Sequence, residues 1–350
     1  MIDLHPESES IRSWLAGRDD GVLFSAADSQ RRAVFGDKVF VRGIVEFSNY
    51  CRQDCHYCGL RRSNRAIRRY RLSKEEILTS VAEAVRCGVQ TIVLQAGEDG
   101  YYSDQWIADL IRTIKSRYAV AITLSLGEHP AAILQSWRAA GADRYLLRIE
   151  TFNRQLYAQA RPGKNWEQRF ACLANIRAAG YETGSGIMIG LPGESISDLA
   201  QAVLELTVMK PDMIGLGPFV SHSQTPWKAY PNGSIDLVLR TIALIRLLNP
   251  YANIPATSAL NSAQPGARVR GLQVGANVIM PSFTPRRVRE WYTIYPGKNI
   301  SPDASEDTFE QACSIIAAAG YTPDLSRGDS PHYLQRTTAV LTTERIPCLE

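Results

Sequence analysis

Along the chain, short and nearly continuous apolar runs alternate with longer stretches in which apolar residues recur every three or four positions. The runs are 39–47, 91–96, 121–126, 144–149, 186–189, 213–217, 254–257 and 277–280. Runs of that length without polar alternation predict strands buried on both faces, as in a parallel sheet. The stretches 74–86, 104–117, 130–140, 166–179, 196–210 and 235–248 carry the period of amphipathic helices. Gly88, Gly141 and Gly180 close three of them, where a helix commonly ends in a left-handed residue. Eight strands alternating with helices over roughly 240 residues is the arithmetic of a (β/α)8 barrel. An open doubly wound sheet is the alternative, disfavoured because no G-x-G-x-x-G opens a helix after the first strand. The expected fold is therefore α/β, a TIM-type barrel over 37–300, with an N-terminal helical extension (1–36) and a loop-rich C-terminal tail (301–350) holding a short helix at 307–319.

Polar residues gather where these strands should end. Glu46-Phe47-Ser48-Asn49, Gln95-Ala96-Gly97-Glu98-Asp99, Arg148-Ile149-Glu150-Thr151 and Thr257-Ser258 all follow apolar runs. The carboxyl ends of barrel strands are where active sites form. Arg148 and Glu150, two residues apart, share one face of their strand. They form either part of a site or an internal ion pair.

Composition narrows the class. Forty-five per cent hydrophobic and 21% charged residues exclude wholesale disorder. The longest apolar runs, 91–96 and 119–126, fall far short of the roughly 18 residues a spanning helix needs. The opening MIDLHPESES lacks the basic and apolar regions of a secretory signal. A cytoplasmic protein with no membrane association is expected. Seven cysteines is an odd count that fits no disulfide framework. Cys87 and Cys172 fall at apolar helical positions and read as small core residues. Cys313 and Cys348 are scattered.

Cys51, Cys55 and Cys58 are clustered in the loop after the first strand. Three thiolates there can converge on one metal centre. A structural zinc wants a fourth ligand. His56 points elsewhere if its neighbours converge, and the sequence has no second C-x-x-C. A cubane iron–sulfur cluster held by three cysteines leaves one iron open for a substrate or cofactor, and Tyr57 would pack over that cofactor. The C-x3-C-x2-C spacing with an aromatic before the last cysteine resembles the signature of the radical S-adenosylmethionine (SAM) superfamily. Gly97-Glu98 after the second strand resembles that superfamily's "GE" motif, in which the glycine lets the backbone approach SAM and the carboxylate can receive its ammonium. The resemblance implies one [4Fe-4S] cluster, with SAM chelated at the open iron and cleaved by one electron to a 5′-deoxyadenosyl radical.

The segments IVEFSNYCRQDCHYCGLRRSN, TIVLQAGEDGYY, ITLSLGEHP, GADRYLLRIET, GYETGSGIMIGLPGES, GPFVSHSQTP, NIPATSA, GANVIMPSFTP and YPGK are similar, in order and spacing, to the HydE family of [FeFe]-hydrogenase maturases over 39–298. That resemblance implies a role in assembling the dinuclear iron subsite of the hydrogenase H-cluster. The substrate it implies is a small organometallic one, a cysteine-bound iron carrying CO and cyanide and made by a partner maturase, with the radical acting on the cysteine sulfur. It further implies that Gln95, Glu150 and Arg169 contact SAM, and that Met280 and Tyr292 lie on its adenosine side. Thr123, Arg148, Thr257 and Ser258 match positions that can bind anions, for which a guanidinium and hydroxyls are suited. A ferredoxin- or flavodoxin-type reductant and other maturases are the implied partners. Related mutases of the methylornithine synthase type and biotin synthase-like enzymes remain alternatives.

Two features depart from the family. Ile149 stands where a histidine is frequent. The three further cysteines that some members carry near the C-terminus are missing, so no auxiliary cluster is expected. The stretch 61–71 holds six arginines. It reads as a solvated rim that an acidic electron donor could meet. A zinc-stabilised RNA-binding protein is the alternative, disfavoured because the rest of the chain is nearly charge-balanced, at a net +4 overall.

Overall fold

The computed structural model describes residues 8–298 and 308–343. The sequence's opening residues 1–7, the predicted linker around 301–306 and Cys348 lie outside them. Helices α1 (Ser8–Leu15) and α2 (Asp20–Phe35) precede β1 (Lys38–Val41) and β2 (Gly43–Ser48). There follow α3 (Lys74–Arg86), β3 (Thr91–Ala96), α4 (Asp104–Arg117), β4 (Ala121–Ser125), α5 (Ala131–Ala139), β5 (Arg144–Leu146), α6 (Arg154–Ala160) and α7 (Trp166–Ala178). Next come β6 (Glu182–Ile189), α8 (Ile196–Met209), β7 (Met213–Pro218), α9 (Ile235–Leu248), α10 (Ser258–Ala263), α11 (Ala267–Gln273) and β8 (Val278–Ile279). The chain continues through α12 (Arg286–Arg289), α13 (Phe309–Ala318), β9 (Thr322–Asp324) and α14 (Pro331–Thr343).

Local chemistry starts and stops these helices. Ser73 and Glu76 form a reciprocal capping box on α3, as Ser195 and Asp198 do on α8. Gly88, Gly141 and Gly180 take the left-handed conformation just past α3, α5 and α7, as the sequence predicts.

Strands β2 to β7 form one parallel sheet in sequential order. Single bridges close the ring. Ile214 N donates to Asn253 O (2.9 Å), Asn277 N to Ile254 O (2.8 Å), and Ala256 N to Val278 O (2.9 Å). Ile44 N donates to Pro281 O (2.9 Å), and Phe283 N to Ile44 O (2.8 Å). The eight-membered barrel is therefore complete, although the segment predicted as a strand at 254–257 makes only isolated bridges at Asn253 and Pro255. The predicted first strand, 39–47, divides at Arg42: β1 leaves the barrel wall to pair with β8 and β9, and β2 enters it.

The tail closes the amino-terminal mouth of the barrel. Arg42 and Asn253 both donate to Gly328 O at 3.0 Å, Thr91 and Arg144 both donate to Arg327 O, and Ser330 N donates to Glu182 at 3.0 Å. Arg144, fully buried, pairs with Glu182 and with Asp329. Charges taken from water are tolerated here because each finds a partner. With this end sealed, the opposite end is left for the site.

Candidate active site

At the carboxyl ends of the strands lies a cavity of about 300 Å³. Cys51, Cys55 and Cys58 line it, with Tyr57, Gln95, Gly97, Glu98, Arg148, Glu150, Arg169, Thr257, Ser258, Met280 and Tyr292. Thr123 is the exception. It sits two residues before Ser125 on β4, on the same face and toward the sealed end. Its buried Oγ1 has no hydrogen-bond partner among the described residues.

The cysteine loop is held by polar residues on either side of it. Asn49, fully buried at the end of β2, donates to the Arg68 and Trp291 carbonyls and accepts from Tyr70 N, each at 2.8 Å. Arg69 gathers the carbonyls of Leu60 (2.9 Å), Arg61 (2.8 Å), Asn64 (3.3 Å) and Asn49. Arg71 makes a two-pronged pair with Asp99 (2.7 and 2.9 Å), and Arg61 pairs with Asp54 at 2.9 Å. Half of the arginine stretch is thus architectural. The exposed rim is Arg62, Arg65 and Arg68, the last stacked 3.8 Å from the Trp291 ring centroid.

Burial pushes the thiols of Cys51 and Cys55 up, and Cys58 is raised by burial and by the other two. Arg161, only 4% exposed, donates to Glu98 Oε1 at 3.3 Å and faces Cys55 and Tyr57. Its Nε is buried without a partner among the described residues. Arg148 donates to Ile187 O at 2.7 Å and lies 3.1 Å from Glu150 Oε2. Even so, Arg148 Nε and Glu150 Oε2 keep no hydrogen bond among the described residues. The ion pair is therefore present, and Arg148 Nε and Glu150 Oε2 remain polar atoms on residues that line the cavity. Glu150 adopts a left-handed backbone (φ 71°), a conformation that costs a non-glycine residue of order 1 kcal/mol and is found where surrounding structure enforces it.

Arg169 donates twice to Arg148 O (2.9 and 2.7 Å) and once to Glu128 (2.8 Å). Three of a guanidinium's five donors are thereby committed, and two are left. Burial opposes the ionised form of Glu128, but Arg169 and Lys164 hold its carboxyl below the usual range. Glu128 therefore orients Arg169 and carries no proton to donate. His129 is lowered by burial and packs edge-on against Trp137 at 4.5 Å.

The model of the radical SAM superfamily matches residues 45–206. The chain is 47% identical over 293 residues to the [FeFe] hydrogenase maturase subunit HydE of Thermotoga maritima, covering 83% of this chain and 84% of that one. The chain belongs to the HydE family of radical SAM enzymes. It is also 30% identical over 259 residues to the 3-methylornithine synthase of Methanosarcina acetivorans, covering 73% of each. In fold it resembles the crystal structure of methylornithine synthase (PylB), with a TM-score of 0.79 at 24% identity over 92% of this chain and 95% of that one. Membership of the superfamily implies SAM and a [4Fe-4S] cluster, and it sets aside the zinc-stabilised RNA-binding reading.

The residues fit those groups. Cys51, Cys55 and Cys58 line one cavity, and among the described residues no three His, Cys, Asp or Glu side chains gather closely enough to hold one ion. A cubane instead takes each thiolate on a different iron. The unpartnered Arg148, Glu150 and Arg161 atoms on the cavity wall suit a ligand bearing both charges, as the methionyl end of SAM does.

Gly97 and Glu98, the residues of the GE motif, also have contacts within the chain. A Cβ at Gly97 would lie 2.2 Å from Tyr50 O, so the glycine admits the close approach of the cysteine loop itself. Glu98 is already engaged by Gln53 and Arg161, so an ammonium group would meet a compensated carboxylate. Ile149 is fully buried in the hydrophobic core and does not line the cavity. His56 packs against Trp227 at 5.8 Å, away from the loop's centre. Cys172 is buried as expected, but Cys87 caps α3 and is half-buried. Cys313 stands on α13, outside the cavity. Arg161, Ser125 and Lys298 also line the cavity. Ser125 and Lys298 lie in the segments ITLSLGEHP and YPGK, whereas nothing in the local sequence marks Arg161.

Proposed function

We propose that the chain acts in assembly of the dinuclear iron subsite of the [FeFe]-hydrogenase H-cluster, on a cysteine-bound organometallic iron substrate. The carrying observation is one cavity with three cysteines on its wall and Arg148, Thr257 and Ser258 on the same surface. Cys51, Cys55 and Cys58 would hold a single [4Fe-4S] cluster with one open iron, and no auxiliary cluster. With SAM bound, that cluster supplies reductive cleavage to a 5′-deoxyadenosyl radical.

The chain's own residues bind, orient and exclude water. Gln95, Gly97, Glu98, Glu150 and Arg169 meet the amino-acid and ribose portions of SAM. Tyr57, Met280 and Tyr292 supply apolar wall. Arg148, Thr257 and Ser258 take the anionic ligands of the substrate, and Thr123 supports that wall from one layer below. Tyr295 OH, 2.6 Å from Ser258 Oγ, fixes that hydroxyl's position.

The electron comes from a ferredoxin- or flavodoxin-type protein meeting the rim of Arg62, Arg65 and Arg68, and the other maturases are met transiently in the cytoplasm. No helix among the described residues is long and apolar enough to cross a membrane. The test is an anaerobic maturation mixture with apo-hydrogenase and the other maturases, in which this chain replaces HydE. Hydrogen evolution with the native chain and none with Cys55→Ala supports the proposal. A native chain that cleaves SAM yet never yields active hydrogenase refutes it and favours the methylornithine synthase-like alternative.

A further inference from the structure

Glu46 is a carboxylate on the barrel wall with no access to water: its side chain is 0% exposed. It lies on β2, the strand that runs straight into the cysteine loop. Burial alone would drive its carboxyl upward, but Lys298 and the hydroxyls of Thr284 and Ser282 hold it below its ordinary value. Lys298 Nζ is 2.6 Å from Oε1, Ser282 Oγ donates to Oε2 at 2.8 Å, and Thr284 Oγ1 donates to the same oxygen. Its backbone is tied as well, with Glu46 N donating to Thr284 Oγ1 (2.7 Å) and Tyr70 OH donating to Glu46 O (2.7 Å).

The described residues from Trp291 to Lys298 carry no helix or strand. Tyr292, Ile294, Tyr295 and Lys298 all line the cavity, so this stretch is one of its walls. Scattered hydrogen bonds tie it to the rest of the barrel. Asn49 donates to Trp291 O (2.8 Å), Gly59 N donates to Ile294 O (3.0 Å), and Tyr295 meets Ser258. The Glu46–Lys298 pair is the charged tie at its far end, and Lys298 Nζ also lies 5.7 Å from the Tyr292 ring centroid. A buried ion pair is a poor source of net stability, because desolvation offsets its attraction. What such a pair does well is fix one arrangement, since any other leaves a charge unpaired.

We propose that Glu46 is a positioning residue for SAM: through Lys298 it pins the 291–298 wall, and with it Tyr292, against the mouth of the cysteine loop. This rests on the reading that SAM occupies the cavity.

The test uses two variants of the cluster-reconstituted protein. Glu46→Gln keeps hydrogen bonds to the two hydroxyls but removes the charge. Glu46→Gln combined with Lys298→Met leaves no buried charge unpaired, and it carries the test if the single variant does not fold. SAM binding is measured by equilibrium dialysis without reductant, and amide hydrogen exchange over 291–298 is followed by mass spectrometry. The expected result is faster exchange confined to that segment, with SAM affinity weaker by about tenfold to a hundredfold, the loss that misplacement by about an ångström brings. At saturating SAM the 5′-deoxyadenosine rate should return to near native, a KM effect that general destabilisation would not produce. Unchanged SAM affinity in the folded variants overturns the proposal, whatever the exchange shows. If the native protein itself takes up no SAM, the occupancy reading fails, and exchange that stays native in the variants then overturns the latch as well.

Discussion

Gly97→Ala probes how tightly the cysteine loop is set. A methyl there would stand 2.2 Å from Tyr50 O and 2.9 Å from Cys51 Cβ, where real contacts do not fall below 3.0 Å. The loop must therefore retreat by at least about 0.8 Å, and Cys51 moves with it. Two backbone bonds straddle the contact: Gly97 N to Ser48 O at 3.1 Å and Arg52 N to Glu98 O at 3.0 Å. Overpacking at a close contact costs about 1–3 kcal/mol, and weakening the two bonds adds about 1 kcal/mol each at most. Against a domain of this size the thermal midpoint of the metal-free protein should fall by only several degrees. Cluster retention should suffer more, because all three thiolates must be placed together. Iron and sulfide content after anaerobic reconstitution, measured beside the melting curve, separates the two effects. A variant with native iron, native sulfide and native SAM affinity would refute the claim that this glycine sets the loop.

Three further perturbations address other parts of the molecule. Burial pushes Glu194, which accepts a 2.7 Å bond from Gly190 N, up to about 7 from 4.5. Its protonated form is thus the one the fold favours, and stability should decline as pH rises from about 4.5 to 7, by up to about 3 kcal/mol. Urea unfolding at pH 5 and pH 8 should show that decline in the native chain and not in Glu194→Gln; equal slopes contradict it. Arg144→Met strands Glu182 and Asp329 at the sealed mouth and should cost about 3–5 kcal/mol, with SAM affinity unaltered if the variant is studied below its lowered melting point. A loss under 1 kcal/mol by the same unfolding measurement would mean that the tail, not the charges, holds that end. Reversing Arg62, Arg65 and Arg68 to Glu should slow SAM cleavage driven by an acidic protein donor about tenfold or more at low salt, and leave the dithionite-driven rate unchanged. Equal slowing with both reductants would place those arginines in folding and not in docking.

The barrel was legible because its signals are local. Helices α3, α4 and α9 have the predicted bounds, each starting beside a capping serine and carrying a long amphipathic face. The cysteine triad was equally visible, since three cysteines in one short loop need no tertiary information. What the sequence hid depends on distant partners. Arg42 splits the first apolar run because Gly328, far along the chain, waits at the barrel mouth. Arg69 looks like one more surface arginine until its four carbonyl partners are in place. Lys298 becomes a site residue only once Glu46 is opposite it. The tight contact of Gly97 with Tyr50 O was hidden as well, because that approach cannot be read from spacing.

One measurement tests the central claim most directly. The protein is reconstituted anaerobically with iron and sulfide and given SAM and dithionite. 5′-Deoxyadenosine is then quantified beside the EPR spectrum of the reduced cluster, with Cys55→Ala as the comparison. The account predicts a brown protein whose cubane signal shifts on adding SAM, with nucleoside released by the native chain and none by the variant. Bound zinc with no cleavage, or a Cys55→Ala variant as active as the native chain, would contradict it.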